Sequence, residues 1–387
     1  MSRYQIISSD AHVVEAPDLW EKYLGVEHRD RAPKLVKDQE GGDAWSFNGG
    51  PPEPIGLVTK AGIELEKLRW TGARYDSIHP GCFTGKGRLE ALDADGIDAE
   101  ILYPPQRTTL WFMMNPDRDF ARAGIDAYNR WVLEDWQGAD PARLIPMAQV
   151  PNLGIEDAVA SVRRAKSEGF RGVVISVWPS GGDNISADDD PFWAVCQELG
   201  MPVSIHERIS GGSPQPAPKG GRTPKLISGM GAAGLSMGQH ISAMTFSEMF
   251  DRFPELQITA VETGCGWVPF LMEQMDDRYW RNRTWAGSTL KHPPSYYFRN
   301  NWSFTFITDL SGINQREQIG VDRIMWSTDF PHHGNDWPRS RWTIEQQFAG
   351  VPEAEKQKMI CDNVVRMYSL DNGVTAPARR EPAAVTV

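Results

Sequence analysis

Asp10 and His12 are the first residues of the chain whose types and spacing suit metal chemistry. They close residues 4–9, which read as a short buried strand, and they stand two apart. In an extended chain two such side chains leave on the same side. A lone Asp-x-His beside a turn more often caps it, but three later strand-like runs also end in potential ligands. His206 follows residues 201–205, Glu262 follows residues 256–261, and Asp329 follows residues 323–327. Two imidazoles with one or two carboxylates suit a single divalent ion, Zn²⁺ first, with Mn²⁺ or Fe²⁺ as alternatives.

Other side chains could complete such a site. Glu262 could transfer a proton if burial raises its pKa, or instead orient a neighbouring histidine. His240, at the expected start of a helix, is a further acid candidate. Arg107, just beyond the second strand, and Arg208, beside His206, could grip a substrate carboxylate in a bidentate fork. Each could equally serve in an ordinary ion pair. His28, His79 and His292 fall in loop regions and read as surface residues. The sequence has no Gly-x-Ser-x-Gly nucleophile elbow, no cysteine in a catalytic motif, no Gly-x-Gly-x-x-Gly after the first strand and no phosphate-binding loop.

The elements that must position these groups alternate. Strands are expected at residues 4–9, 97–103, 144–150, 172–177, 201–205, 256–261, 302–306 and 323–327. Helices are expected at 116–137, with Pro116 in the first turn, and at 155–167, 191–199, 241–252 and 266–281. Eight strand-like runs alternating with helices call for a parallel sheet, and in this length they favour one (β/α)8 TIM barrel over an open doubly wound sheet. In a barrel the strand C-termini ring one mouth, which brings the candidate ligands together. The expected organisation is one domain over residues 1–371, with insertions at 26–62 and 209–238 and a disordered tail from 372 to 387. The first insertion reads as a loop without sustained periodicity, and the Gly-, Ser- and Pro-rich second as a plain insertion or an active-site lid. Residues 282–300 read as irregular.

Composition bounds the partners. The chain has 387 residues, 40% of them apolar, and a net charge of −11, which argues against a nucleic-acid or anionic-membrane binder. Four dispersed cysteines form no CxxC pair, and no signal peptide or membrane span is evident, so a cytoplasmic protein is expected. Fifteen tryptophans suit core packing or an aromatic-lined pocket. A homodimer is left open.

Several stretches carry a resemblance: Ile7-Ser8-Ser9-Asp10-Ala11-His12, Leu92-Asp93-Ala94-Asp95-Gly96-Ile97-Asp98 followed by Tyr103-Pro104, and Met201-Pro202-Val203-Ser204-Ile205-His206. Trp326-Ser327-Thr328-Asp329-Phe330-Pro331-His332 and Asn363-Val364-Val365-Arg366-Met367-Tyr368 continue it. The chain resembles the amidohydrolase superfamily, in the branch containing aminocarboxymuconate semialdehyde decarboxylase. The resemblance implies a mononuclear metal centre with Asp10, His12, His206 and Asp329 as ligands, and it favours His332 as a substrate or supporting contact. Relatives often have His or Glu at the position of Asp10, and many decarboxylases there have His where this chain has Glu262. The first functional expectation is therefore a hydrolase of a small, aromatic or cyclic carboxylated substrate. Metal-bound water would attack, Asp329 would take its proton, and Glu262 or His240 would protonate the leaving group. The alternative is a non-oxidative, metal-dependent decarboxylase of an aromatic or muconate-type acid, and a third reading is a catalytically inactive ligand-binding barrel.

Overall fold

The computed structural model describes residues 4–113, 115–207, 209, 227, 231 and 233–370. Arg208, most of the 209–238 insertion and the tail from 372 lie outside the described residues. The chain forms two compact units, one of residues 4–151 with 327–346, the other chiefly of 152–326 with the segment from 347 onward.

The first unit begins with β1 (Ile7–His12), which is buried at every position. Continuous burial marks a strand covered on both faces, as parallel sheets require. The 26–62 insertion is more than a loop. It holds an antiparallel meander of β2 (Lys34–Lys37), β3 (Asp43–Ser46) and β4 (Glu53–Pro54), paired Lys34 to Ser46 and Ala44 to Pro54. These strands are two to four residues long, too short to show a period in sequence. Next comes helix Gly85–Asp95, capped when the Thr84 hydroxyl accepts from Gly87 N–H and ended by Gly96 in the left-handed region, φ 71°. β5 (Ala99–Tyr103) pairs in parallel with β1 and with β6 (Leu144–Pro146), and the short β7 (Ala148–Gln149) follows. Helix Arg118–Trp131 is capped by Asp117, so Pro116 lies before the cap instead of within the first turn, and the helix continues as a π-helical segment to Gln137.

Much of this unit's aromatic content is core. Trp20 packs on Phe112 at 4.9 Å between centroids, and Phe47 stacks on Trp111 at 5.8 Å.

The second unit is a parallel sheet in sequence order: β8 (Val173–Ile175), β9 (Val203–His206), β10 (Ile258–Val261), β11 (Trp302–Phe306) and β12 (Ile324–Trp326). Helix Ile155–Glu168 precedes β8, and helices Asp190–Leu199, Ala233–Phe246 and Val268–Ala286 lie between successive strands in sequence. The stretch expected to be irregular contains the end of Val268–Ala286 and a further helix, Pro294–Asn301. Its polar Arg281–Thr284 segment carries no apolar stripe to betray the helix, whereas Pro in the first turn of Pro294–Asn301 presets φ for the next one. None of the four cysteines forms a disulfide, and all are buried. No helix among the described residues is long and apolar enough to cross a membrane.

Candidate active site

In the first unit the strand end delivers what the alternation predicts. Asp10 Oδ1 lies 3.5 Å from His12 Nε2, with both side chains buried. The β1–β5 register shifts between Ser8 and Ala11, so the candidate pair sits on an irregularity, a device that re-aims side chains beside active sites. Asp329 joins them. Its N–H donates to the Asp10 carbonyl at 2.9 Å, and the His12 N–H donates to the Phe330 carbonyl at 2.7 Å. Asp329 Oδ1 lies 3.5 Å from the same His12 Nε2 and 3.1 Å from His332 Nδ1. His12, Asp329 and His332 each offer one donor atom, all within 4.8 Å of one another.

These separations suit a shared ion. Donors bound at about 2.0–2.2 Å around one metal stand roughly 3–3.5 Å apart. Two buried carboxylates against one imidazole are a hard, anionic donor set, and burying such charge is favourable only with a compensating cation. The residues therefore fit a divalent metal.

In the second unit His206 ends β9 in register with Val261, which ends β10. Glu262, the next residue, places Oε2 3.5 Å from His206 Nε2. Its backbone is left-handed, φ 56°, as is that of Glu207, φ 55°, and that of Asp329 in the first unit, φ 54°. Non-glycine residues in this region cost about 1–3 kcal/mol each and gather where function holds them. The Glu262 N–H is fixed by the Thr305 hydroxyl at 2.8 Å. The chain then turns through Gly264, φ 62°, and Gly266, where a Cβ would meet Ser311 at 2.7 Å; the Asp309 carboxylate accepts the Cys265 and Gly266 N–H groups at 2.6 and 2.8 Å.

Two expected site residues have other surroundings. His240 lies in the middle of helix Ala233–Phe246 instead of opening one, because the helix starts eight residues before Ile241. Its Nε2 accepts the Ile209 N–H at 3.3 Å, its ring sits edge-on to Trp178, and burial lowers its pKa. A nitrogen accepting a backbone N–H is poorly placed to give up a proton. Arg107 is buried and engages Glu15, its Nη2 2.8 Å from Oε2, so its guanidinium is committed to an internal ion pair.

Three residues near the candidate ligands went unnoticed in sequence: Arg88, Glu100 and Lys60. Glu100 had a visible signal, a charge inside Ala-Glu-Ile-Leu-Tyr, which demands a buried partner. Lys60 is buried, its N–H donates to the Pro331 carbonyl at 2.8 Å and its ammonium to the Asn335 carbonyl, tying the insertion to the turn after His332.

Parallel strands with candidate ligands at their C-termini and helices between define an α/β enzyme of the (β/α)8 class. The sequence model of the amidohydrolase family matches residues 79–370, and the chain belongs to that family. A gamma-resorcylate decarboxylase from Rhizobium sp. (strain MTP-10005) is 26% identical over 310 residues, covering 73% of this chain and 86% of the relative. The structure of an amidohydrolase from Mycobacterium avium subsp. paratuberculosis K-10 superposes with a TM-score of 0.70 at 19% identity, over 94% of this chain and 98% of that one. That of a 5-carboxyvanillate decarboxylase from Novosphingobium aromaticivorans, with bound manganese and 3-methoxy-4-hydroxy-5-nitrobenzoic acid, gives 0.66 at 19% identity, over 95% and 97%. The two structures show the shared fold, and the likeness to the gamma-resorcylate decarboxylase favours the decarboxylase alternative over the hydrolase reading.

Proposed function

We propose that this chain is a metal-dependent, non-oxidative decarboxylase of an aromatic acid carrying a hydroxyl ortho to the carboxylate. The observation that carries the reading is the likeness to a gamma-resorcylate decarboxylase across 86% of that protein's length, together with the buried Asp329 carboxylate set beside His332. The proposed ligands are those the sequence suggests: Asp10, His12, His206 and Asp329. Mn²⁺ suits this carboxylate-rich set and is preferred here to Zn²⁺. The bound ion would supply Lewis acidity toward the substrate's carboxylate and ortho oxygen.

The residues then have one proton to move. Asp329, protonated, gives it to the ring carbon that bears the carboxylate, which the ortho hydroxyl makes electron-rich. The bond from that carbon to the carboxylate breaks, carbon dioxide leaves, and the electron pair returns to the ring. His332 holds Asp329 in position and passes it a proton from solvent for the next turnover.

The test is 2,6-dihydroxybenzoate with Mn²⁺-loaded protein in D2O. Expected are carbon dioxide and resorcinol carrying deuterium at the former carboxyl carbon, with Asp329→Asn abolishing both. Hydrolysis of lactones or amides without carbon dioxide release from any hydroxybenzoate would overturn the reading.

A further inference from the structure

We infer that Arg88 and Glu100 are positioning residues that set His12 and Asp329 for their ion, an inference that rests on the metal-dependent reading above. Both side chains are buried, at 0% and 2% exposure, with Arg88 Nη1 donating to Glu100 Oε2 at 2.7 Å. Replacing such a buried pair by well-packed apolar residues is often neutral or stabilising, so stability alone gives little reason to keep one. Where the remaining contacts go supplies a reason.

On the arginine side, Nε donates to the Gly81 carbonyl at 2.7 Å and Nη2 to the His12 carbonyl at 2.6 Å. With its N–H on the Phe330 carbonyl, His12 has both main-chain polar groups held. The guanidinium also lies over the Phe330 ring, 4.3 Å from its centroid, beside Asp329 in sequence. On the glutamate side, Oε1 accepts from the Thr328 hydroxyl at 3.3 Å. The Thr328 Oγ1 in turn accepts the Phe330 N–H at 3.2 Å and lies 2.9 Å from the Ser8 hydroxyl. Ser8 in turn accepts the Thr328 N–H at 2.9 Å and donates to the Asp10 carbonyl at 2.8 Å.

One ion pair therefore grips both segments that carry ligands. Arg88 holds the last residue of β1, and Glu100 holds the residue before Asp329. Their mutual attraction sets how the two segments stand against each other. Metal centres are sensitive at this level, because supporting contacts typically govern about 10–100-fold in affinity or activity.

The test measures Mn²⁺ affinity by chelator competition on metal-stripped protein, with the melting temperature of the metal-free form as reference. Thr328→Val cuts the glutamate link without stranding a buried charge. It also removes the acceptor of the Phe330 N–H, so some fall in melting temperature accompanies it. The variant is expected to melt cooperatively without metal and to bind Mn²⁺ about 10–100-fold more weakly, and Thr328→Ser should restore both melting temperature and binding. Glu100→Gln is expected to weaken Mn²⁺ binding as well, and if it does not fold, Thr328→Val decides alone. Unchanged Mn²⁺ affinity in Thr328→Val, with or without a lower melting temperature, would overturn the inference. Should wild type bind no Mn²⁺, the metal-dependent reading itself fails. Should Asp329→Asn lose Mn²⁺ while Thr328→Val keeps it, only the positioning role fails.

Discussion

The imidazole rings of His12 and His332 lie face to face, with centroids 3.9 Å apart and planes 17° from parallel. The stack limits rotation of His12, whose Nε2 faces both Asp10 and Asp329. It also brings His332 Nδ1 to 3.1 Å from Asp329 Oδ1. His332→Ala removes the stacking face and the neighbour of the carboxylate proposed to carry the proton. Turnover should fall about 10–100-fold, while the manganese content of the purified protein, read by elemental analysis, stays near wild type. Loss of the metal in this variant would make His332 a ligand instead.

His206 is expected to contribute a neutral nitrogen to the ion. His206→Ala should strip the metal without unfolding the protein, since the side chain ends β9 and is only partly buried. Full metal occupancy in the variant, with an unchanged circular dichroism spectrum, would remove His206 from the ligand set.

Glu262 marks the departure from the resemblance, and its geometry favours one of the two roles left open by the sequence. Its carboxylate approaches Nε2 of His206 at 3.5 Å, where it can orient that ring toward the ion. Glu262→Gln should therefore lower Mn²⁺ affinity about 10–100-fold, with excess metal restoring turnover. A proton-transfer role predicts the opposite pattern: normal metal content with turnover cut by roughly 10²–10⁴-fold.

Much of this arrangement was legible in the sequence because strands and their terminal ligands leave strong local patterns. The strand at 302–306 stands where the apolar run placed it, and Asp10 and His12 face one point as alternation requires. What escaped depends on partners distant in sequence. Arg107 reads as a candidate substrate clamp until Glu15, 92 positions away, occupies it. Arg88 lies on a helix whose apolar residues form no clear stripe, so nothing local shows that its guanidinium points into the interior. The meander at 34–54 was hidden by strands shorter than any detectable period, and His240 by a helix that begins within a Gly- and Ser-rich stretch.

The Arg88 cluster also gives a pH signature outside the proposed metal ligands. His79 caps the short helix Pro80–Cys82, its Nδ1 accepting the Gly81 N–H at 3.0 Å while its ring packs against Trp337 at 4.9 Å. Burial lowers its pKa, the Arg88 guanidinium pushes in the same direction and Glu90 opposes them. The fold therefore favours the neutral ring relative to an unfolded chain, where histidine titrates near about 6.5. The stability this contributes is fully present above that pH and is lost as pH falls through the lower folded-state value. Protonation would remove the acceptor for Gly81 N–H and place a second cation beside the turn whose carbonyl Arg88 already holds. His79→Asn keeps a capping oxygen and cannot charge. Melting temperatures of metal-free wild type should decline below about pH 6.5 more steeply than those of His79→Asn. His240, also lowered by burial, is present in both proteins and cancels in the comparison. Identical slopes would show that His79 titrates in the folded protein as it does in the unfolded chain.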